Sequence, residues 1–260
     1  MSLRFLFTVV LFTVVLFTVV LFTVVLLTVL PLRPTHAQTD APPVAPTPLA
    51  RISDPFALYG DTIRFSVWRN GRQVGSHVTR FADTGAGVRV DSQLSLEIPF
   101  LMITAYRYDY RSSALWRDGV VEQLRASVDD DGALSAFEAH RDGESLVVVR
   151  DGATERFPLP LYPTDHWNPN VLGAAAVLNT LTGRLNQVAI VDHGEERVET
   201  AHGLRPARRY EYTGDLQAEV WYDDGGRWVK LRFQGRDGST IDYRCERCRA
   251  GDARTAEDKP

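Results

Sequence analysis

The segment Asp165-His166-Trp167-Asn168 is the densest group of functional residue types in the chain. It follows a proline-rich stretch in an irregular region, and loops held by a rigid scaffold are the usual place for catalytic residues. An aspartate beside a histidine can tune the imidazole for acid-base work, so Asp165 and His166 are candidate catalytic residues. The alternative is that His166 and Trp167 fold back under the loop while Asn168 turns the chain into a helix. No Gly-x-Ser-x-Gly elbow accompanies the segment, so nucleophilic hydrolysis is not predicted, and no second histidine stands at a metal-ligand spacing, so no zinc site is predicted.

Aromatic residues with the spacing of one sheet face form a second candidate site. Tyr106, Tyr108 and Tyr110 alternate with charged residues, which places the three rings on one face of a predicted strand. Phenol rings combine apolar area with a polar tip, as a ligand cavity requires, whereas ordinary cross-strand packing is the alternative. The predicted ligand-binding residues are Tyr106, Tyr108, Tyr110, Trp167, Trp221 and Tyr222.

The two cysteines, Cys245 and Cys248, close the last predicted strand in a Cys-x-x-Cys pattern. In an exported protein such a pair most simply forms a disulfide, which would clasp a short loop. Redox activity is an alternative, because Arg244, Arg247 and Arg249 would stabilise a thiolate, although active Cys-x-x-Cys sites usually begin a helix in a βαβ unit. Metal binding with ligands from a partner is the third possibility. We predict the disulfide.

Turn sequences indicate how these residues are positioned. The acidic run Asp129-Asp130-Asp131-Gly132 lacks the alternating ligands of a calcium loop, and we interpret it as a hairpin turn. The chain contains similar pairs at Asn70-Gly71, Asp118-Gly119, Asp131-Gly132, Asp142-Gly143, Asp151-Gly152, Asp224-Gly225 and Asp237-Gly238. Between Asp118 and Asp151 they recur 13, 11 and 9 residues apart, which is typical of hairpins and too close for βαβ crossovers.

The segments between these turns have the alternation of half-buried strands. Ile63, Phe65 and Val67, for example, are separated by polar residues. The sequence therefore predicts an all-β, mainly antiparallel domain, a meander of about twelve strands curled into a barrel or half-barrel. One interruption, the alanine-rich stretch Val171–Asn179, predicts a short helix capped by Asn168 or Asn170.

The N-terminus has the outline of a secretory signal peptide. Arg4 precedes an apolar repeat of five residues that runs from Phe5 to Leu30, and Thr35-His36-Ala37 has the small residues of a cleavage site. The apolar stretch is also long enough for an uncleaved membrane anchor, and in both cases the following domain is exported. The predicted organisation is a signal peptide at 1–37, a proline- and alanine-rich linker at 38–55, an antiparallel β domain at 56–249 and a flexible tail at 250–260.

Composition narrows the function classes. Beyond residue 37 the chain has 27 basic and 33 acidic residues. A mildly acidic protein is a poor match for nucleic acid, and the apolar content is that of an ordinary folded domain rather than a disordered one.

Four ordered motifs carry a resemblance to a known family. They are Asp165-His166-Trp167-Asn168, Gly214-Asp215-Leu216, Trp221-Tyr222-Asp223 and Asp237-Gly238-Ser239. Together they resemble an uncharacterised family of secreted bacterial β-rich proteins, a domain of unknown function, over roughly Tyr59 to Arg244. The resemblance implies no activity and no catalytic residues. At the level of fold, the pattern is also similar to the curved sheets that carry lipoproteins and other apolar ligands across the bacterial periplasm.

We therefore expect a periplasmic or secreted envelope protein without catalytic activity, cofactor or metal. Its curved sheet would bind a lipid or another apolar or amphipathic ligand, or an envelope protein partner, and it would touch the membrane only through an uncleaved N-terminal segment. Two alternatives stay open: a periplasmic enzyme centred on Asp165 and His166, and a structural or assembly module without a ligand.

Overall fold

The computed structural model describes residues 54–100 and 103–252, all within the compact unit Pro43–Pro260. The predicted signal peptide, almost all of the predicted linker and most of the predicted tail lie outside the described residues. In the part that is described, no helix is long and apolar enough to cross a membrane.

The described residues form two short helices and fifteen strands. The α-helix α1 is Pro55–Tyr59, and a 3₁₀ helix is Pro169–Gly173. The strands are β1 Thr62–Arg69, β2 Arg72–Asp83, β3 Val88–Phe100, β4 Ile103–Arg117, β5 Val120–Asp130, β6 Ala133–Asp142, β7 Ser145–Arg150, β8 Ala153–Pro158, β9 Tyr162–Pro163, β10 Ala176–Leu178, β11 Leu185–Thr200, β12 Gly203–Gly214, β13 Ala218–Tyr222, β14 Trp228–Gln234 and β15 Thr240–Arg247.

Several of the predicted turns adopt the backbone conformation that their sequences favour. Asn70, Asp118, Asp131 and Asp151 have φ angles between 48° and 53°, and each precedes a glycine that also has a positive φ. Two successive left-handed residues are the requirement of a type I′ turn, whose twist matches that of a two-residue hairpin. Local sequence therefore accounts for much of the meander from β1 to β8.

All fifteen strands belong to one sheet, in the order β8-β7-β6-β5-β4-β3-β2-β1-β15-β14-β13-β12-β11-β10-β9. Neighbours are antiparallel except β9 and β10, where Tyr162 pairs with Val177 in parallel. The chain thus forms two meanders, which join where β1 pairs with β15. This arrangement confirms the predicted antiparallel fold, and β8 and β9 are the two edges of the sheet.

The sheet curls into a barrel that is not fully closed by strand pairing. Among the described residues no ladder joins β8 to β9. Contacts of the β10–β11 connection draw the two sides together instead: Arg150 of β7 donates from Nη1 to the Thr182 carbonyl oxygen at 3.4 Å. A Cβ atom at Gly183 would lie 2.7 Å from the Phe137 ring of β6, and Gly183 also has a φ of 65°. Glycine is therefore required at this contact.

Two details differ from the sequence prediction. The sheet has fifteen strands instead of about twelve, because β9 and β10 contain two and three residues and are too short to show alternation. The helix predicted at Val171–Asn179 is a five-residue 3₁₀ helix followed by β10. Asn168 caps it, since its Oδ1 accepts from Asn170 N at 3.1 Å. The alanines that follow lie next to β11, where sheet hydrogen bonds outweigh their helix propensity.

The core fills the inner face of the curled sheet with aromatic rings. The centroids of Phe65 and Trp228 lie 4.3 Å apart, and those of Trp116 and Trp167 lie 5.1 Å apart at nearly perpendicular orientation. Such pairs contribute about 0.5–1.5 kcal/mol each beyond the burial of their area. The loop that carries Trp167 is thus part of the core rather than a surface appendage.

Candidate functional site

The loop between β9 and the 3₁₀ helix carries the motif Asp165-His166-Trp167-Asn168 into the interior, and all four residues are buried. His166 has a φ of 55°, and Trp167 N donates to the Asp165 carbonyl oxygen at 2.8 Å. This hydrogen bond closes a three-residue γ-turn, which is strained when its central residue is left-handed. The sharp turn at His166 directs the flanking side chains into the core.

Two buried tyrosines from distant elements hold this turn. The Tyr59 hydroxyl of α1 donates to the Trp167 carbonyl oxygen at 2.9 Å and accepts from Trp228 N at 2.9 Å. The Tyr222 hydroxyl of β13 donates to the His166 carbonyl oxygen at 2.8 Å. Burial raises the pKa of both tyrosines, so both hydroxyls remain protonated donors at neutral pH. These hydrogen bonds offset the strain of the turn.

Asp165 interacts with Trp167 rather than with the imidazole beside it. Its Oδ2 accepts from Trp167 Nε1 at 3.1 Å, and within the described structure no hydrogen bond joins the side chains of Asp165 and His166. Burial raises the pKa of Asp165 to about 7, and the Trp167 hydrogen bond opposes this rise. A large share of the molecules therefore carries a neutral Asp165 at neutral pH.

A second histidine, His77 of β2, lies near His166. The centroids of the His77 and His166 rings are each 5.6 Å from that of Trp228. Burial lowers the pKa of His77 to about 4; burial and then the proximity of His77 lower the pKa of His166 to about 3. Both imidazoles are thus neutral at pH 7. Both ring nitrogens of His77 and Nδ1 of His166 have no hydrogen-bond partner among the described residues, which is a costly state for buried polar atoms.

This cluster offers hydrogen bonds from neutral groups rather than an acid paired with a base. No carboxylate of the described residues bonds to either imidazole, and the Asp165 carboxyl is engaged by Trp167. In the described ranges no group of three or more His, Cys, Asp or Glu residues could hold a metal ion.

The acidic run of the β5–β6 connection forms a hairpin turn, in which Asp129 Oδ1 accepts from Gly132 N at 2.7 Å.

The predicted tyrosines lie on the inner face of β4. Tyr110 is buried in the core, whereas Tyr106 and Tyr108 are partly exposed. The Tyr106 hydroxyl donates to Asp130 Oδ1 at 2.6 Å, and Arg236 of the β14–β15 connection donates from Nη1 to Asp130 Oδ2 at 2.9 Å. Burial, followed by the charge of Asp130, raises the pKa of Tyr108 to about 12, so this hydroxyl is neutral.

The two ends of the curled sheet differ in how completely they are filled. We call the end that contains Tyr106 and Arg236 the tyrosine end, and the opposite end, which contains α1, the helix end. At the tyrosine end, large inner-face side chains remain partly exposed: Leu96, Ile98, Tyr106, Tyr108 and Phe233. At the helix end, Tyr59, Trp116 and Trp167 are buried. Apolar side chains of the inner face are therefore accessible at the tyrosine end, and near the helix end Phe56 and Val88 are also partly exposed.

Trp221 and Tyr222 lie on opposite faces of β13. Tyr222 faces the core, whereas Trp221 lies on the outer face, and its Nε1 donates to Glu196 Oε1 at 2.6 Å. Lys230 Nζ and the Arg232 guanidinium carbon lie 5.6 and 5.5 Å from the Trp221 ring centroid. This cover leaves Trp221 only 1% exposed. The structure therefore does not bring the predicted ligand-binding residues into one site. Trp221 lies on the outer face, Trp167 at the helix end, and Tyr106 and Tyr108 at the tyrosine end.

Cys245 and Cys248 form the predicted disulfide, and both residues are buried. Arginines beside them bind carboxylates of other elements. Arg247 donates to Asp61 Oδ1 at 2.8 Å, and Arg249 donates to Asp223 Oδ2 at 3.1 Å. The disulfide thus closes a loop at the end of β15, and the two arginines join this loop to the α1–β1 connection and to the β13–β14 connection.

His77 is the buried polar residue that sequence reasoning did not select. It occupies an inward position of β2, opposite Phe65 in β1 and Leu94 in β3. Alternation along β2 gave no signal for this placement, because the residues two positions away on the same face are Gly75 and Thr79, and the apolar Val78 has the opposite parity. No local cluster of functional residues surrounds it in the sequence.

The fold is similar to that of a solved structure, and the sequence matches a family model. A search of curated proteins found no match. Among solved structures, the crystal structure of a beta-barrel-like protein of the domain of unknown function DUF1849 from Brucella abortus is similar, with a TM-score of 0.53 and 12% sequence identity. The similarity covers 75% of this chain and 99% of that chain, and at this identity it shows the fold alone. The model of a domain of unknown function, DUF6134, matches residues 65–246, a range that includes all four sequence motifs, and the chain belongs to this family.

Proposed function

We propose that the protein is exported into the bacterial envelope and, without catalysing a reaction, binds an apolar or amphipathic ligand at the tyrosine end of its sheet. The observation that carries this proposal is the partial exposure of the inner-face side chains Leu96, Ile98, Tyr108 and Phe233. Clusters of accessible apolar side chains on a concave surface are typical of binding sites. Covering them would stabilise a complex by about 25 cal/mol for each Å² of apolar area removed from water.

The polar groups at this end support an amphipathic ligand. Tyr106, Asp130 and Arg236 form a hydrogen-bonded chain beside the apolar side chains. The Arg236 side chain is 93% exposed, so its remaining guanidinium N–H groups are accessible. A ligand with an apolar body and a polar group would find both kinds of contact here.

The N-terminal sequence and the disulfide support export. An apolar segment after Arg4, followed by Thr35-His36-Ala37, has the outline of a signal peptide. A disulfide between the two cysteines of the chain is typical of oxidising compartments such as the periplasm.

The catalytic alternative receives less support from the geometry. Asp165 and His166 are buried, and their side chains do not share a hydrogen bond in the described structure. General acid-base catalysis requires such groups within hydrogen-bond reach of a substrate proton.

Binding of the neutral apolar dye N-phenyl-1-naphthylamine tests the proposed site. The dye's fluorescence should rise with wild-type protein. The Tyr108→Glu variant should bind the dye at least about tenfold more weakly, because a carboxylate in an apolar site loses its hydration. Leu204→Glu is the matched control, since Leu204 is 57% exposed in the β11–β12 hairpin at the helix end. Circular dichroism would establish that both variants fold.

Native mass spectrometry of protein from the periplasmic fraction, with lipid extraction of the same sample, tests ligand and export together. A mature mass in that fraction with a bound species of lipid size is the expected result. Absence of the protein from that fraction would contradict export. Failure of the wild type to bind the dye, or equal loss of binding in both variants, would contradict a ligand site at the tyrosine end.

A further inference from the structure

The outer face of the sheet contains a groove that is separate from the tyrosine end. It has a volume of about 490 Å³ and crosses β2 to β6. Its lining includes Arg80, Gln93, Arg111, Arg125 and Ser127, all of which are exposed. None of these residues belongs to the sites that the sequence analysis selected.

Strand register explains why a depression forms here. Arg111 lies opposite Ser127, which lies opposite Ala136 on the next strand, so two small side chains extend one row of the outer face. In the neighbouring row, Ser113 lies between Asp91 and Arg125. Long arginine side chains thus flank a floor of hydroxyl and methyl groups.

The groove has an excess of positive charge, although the whole chain has a formal net charge of -4. Arg125 pairs with Glu138 at 3.3 Å, and Asp91 is engaged by Arg89 at 2.9 Å. Arg80 and Arg111 have no carboxylate partner among the described residues. Two guanidinium groups are therefore free to bind anionic groups, and each presents planar paired donors.

The positions of the arginines favour an extended anion over a small one. From standard strand spacing and the register, the Cα atoms of Arg111 and Arg125 lie about 8 Å apart and those of Arg80 and Arg111 about 12 Å apart. A chain that carries several anionic groups can pair with each arginine in its own position, whereas the arginine side chains would have to converge to share one carboxylate or phosphate.

The position of the groove in the sheet argues against an acidic peptide as its ligand. Peptides commonly bind to sheets by adding a strand at an edge, where backbone groups are unpaired. The groove crosses β2 to β6 in the middle of the sheet, where each strand is paired on both sides. Its accessible polar groups are side-chain amides and hydroxyls, such as Gln93 and Ser127, which match the hydroxyl groups of sugars.

We propose that this groove binds a linear acidic oligosaccharide. The carboxylates of the sugar chain pair with Arg80 and Arg111, with Arg125 at one end of the groove, and the sugar hydroxyl groups bond to Gln93 and Ser127. The proposal is independent of ligand binding at the tyrosine end.

Titration calorimetry of the folded chain with hexagalacturonate at low ionic strength tests it. Wild-type protein should bind hexagalacturonate and should not bind the neutral maltohexaose. The double variant Arg80→Gln/Arg111→Gln should bind about tenfold more weakly, and added salt should weaken wild-type binding, because the contacts are exposed ion pairs. The matched control Arg72→Gln/Arg184→Gln removes two exposed arginines outside the groove and should stay within about twofold of wild type.

Three results would overturn the proposal. One is equal binding of hexagalacturonate and maltohexaose, or of neither. Another is equal loss of affinity in the groove variant and the control variant, which would indicate a general charge effect. The third is binding of hexaglutamate as tightly as hexagalacturonate, which would assign the groove to acidic peptides. Dye binding at the tyrosine end should be unaffected by the groove variant.

Discussion

Replacing Asp165 with asparagine should stabilise the protein above neutral pH. Burial raises the folded-state pKa of Asp165 to about 7 from an ordinary value of 3.8. Because the folded pKa is the higher one, the contribution of this group is complete below pH 3.8 and is lost as the pH rises through 7. The gap between the two pKa values corresponds to about 4 kcal/mol, which is the upper limit of the stabilisation that a neutral side chain would give at pH 8.

Asparagine preserves the contacts of this site. Its size is close to that of aspartic acid, and its amide oxygen can accept the hydrogen bond that Trp167 Nε1 now donates to Asp165 at 3.1 Å. Urea unfolding followed by circular dichroism at pH 8 and at pH 4 measures the effect. We expect Asp165→Asn to gain about 2–4 kcal/mol at pH 8 and little at pH 4. The control Asp224→Asn, at a side chain that is 89% exposed, should change stability by less than about 0.5 kcal/mol at either pH.

A variant that is less stable than the wild type at pH 8 would refute this reasoning. It would mean that the folded protein stabilises the ionised carboxylate more than water does, despite the burial of Asp165. A gain of equal size at pH 4 and pH 8 would refute it as well, because the effect would then come from packing and not from ionisation.

Two further substitutions test other parts of the core. Burial lowers the pKa of His77 to about 4, so its contribution to stability is complete above pH 6.5 and is lost as the pH falls towards 4. Urea unfolding at pH 7.5 and pH 4 should show that the His77→Phe variant loses about 3 kcal/mol less stability between these pH values than the wild type does. An equal loss of stability in both proteins would contradict this. Cys245 and Cys248 are 3% and 1% exposed, so a thiol reagent should label the reduced protein only as fast as it unfolds. The Cys245→Ser/Cys248→Ser variant should lose about 2 kcal/mol, the chain entropy of a four-residue loop, and rapid labelling of the reduced native protein would show that the disulfide region opens locally.

The fold was largely predictable because its determinants are local. Asn70-Gly71 and Asp118-Gly119 adopt the left-handed conformations that tight hairpins need, and alternation along β1 and β3 set the inner and outer faces. The segment from Leu159 to Leu178 was not predictable in this way. Its strands are short, and β9 joins the sheet in parallel to β10 through pairing that no local pattern encodes.

The candidate site was predictable in composition but not in geometry. The turn at His166 depends on hydroxyls of Tyr222 and Tyr59, and the Tyr59 hydroxyl meets a residue 108 positions away in the sequence. Such contacts leave no trace in the spacing of the motif. The separation of Trp221 from Tyr222 was accessible from sequence, since adjacent residues of a strand face opposite sides.

We expect different residues of this domain to control its stability and its ligand binding. Aromatic rings contact His77 and His166, Trp167 donates a hydrogen bond to Asp165, and burial shifts the pKa of each group in the direction that favours its neutral form. Substitutions there should shift the pH dependence of unfolding and leave dye binding unchanged. Tyr108, by contrast, is only partly buried, so its substitution should alter binding more than stability. If the Asp165→Asn variant changed dye affinity as strongly as Tyr108→Glu, the core cluster and the tyrosine end would have to be parts of one site.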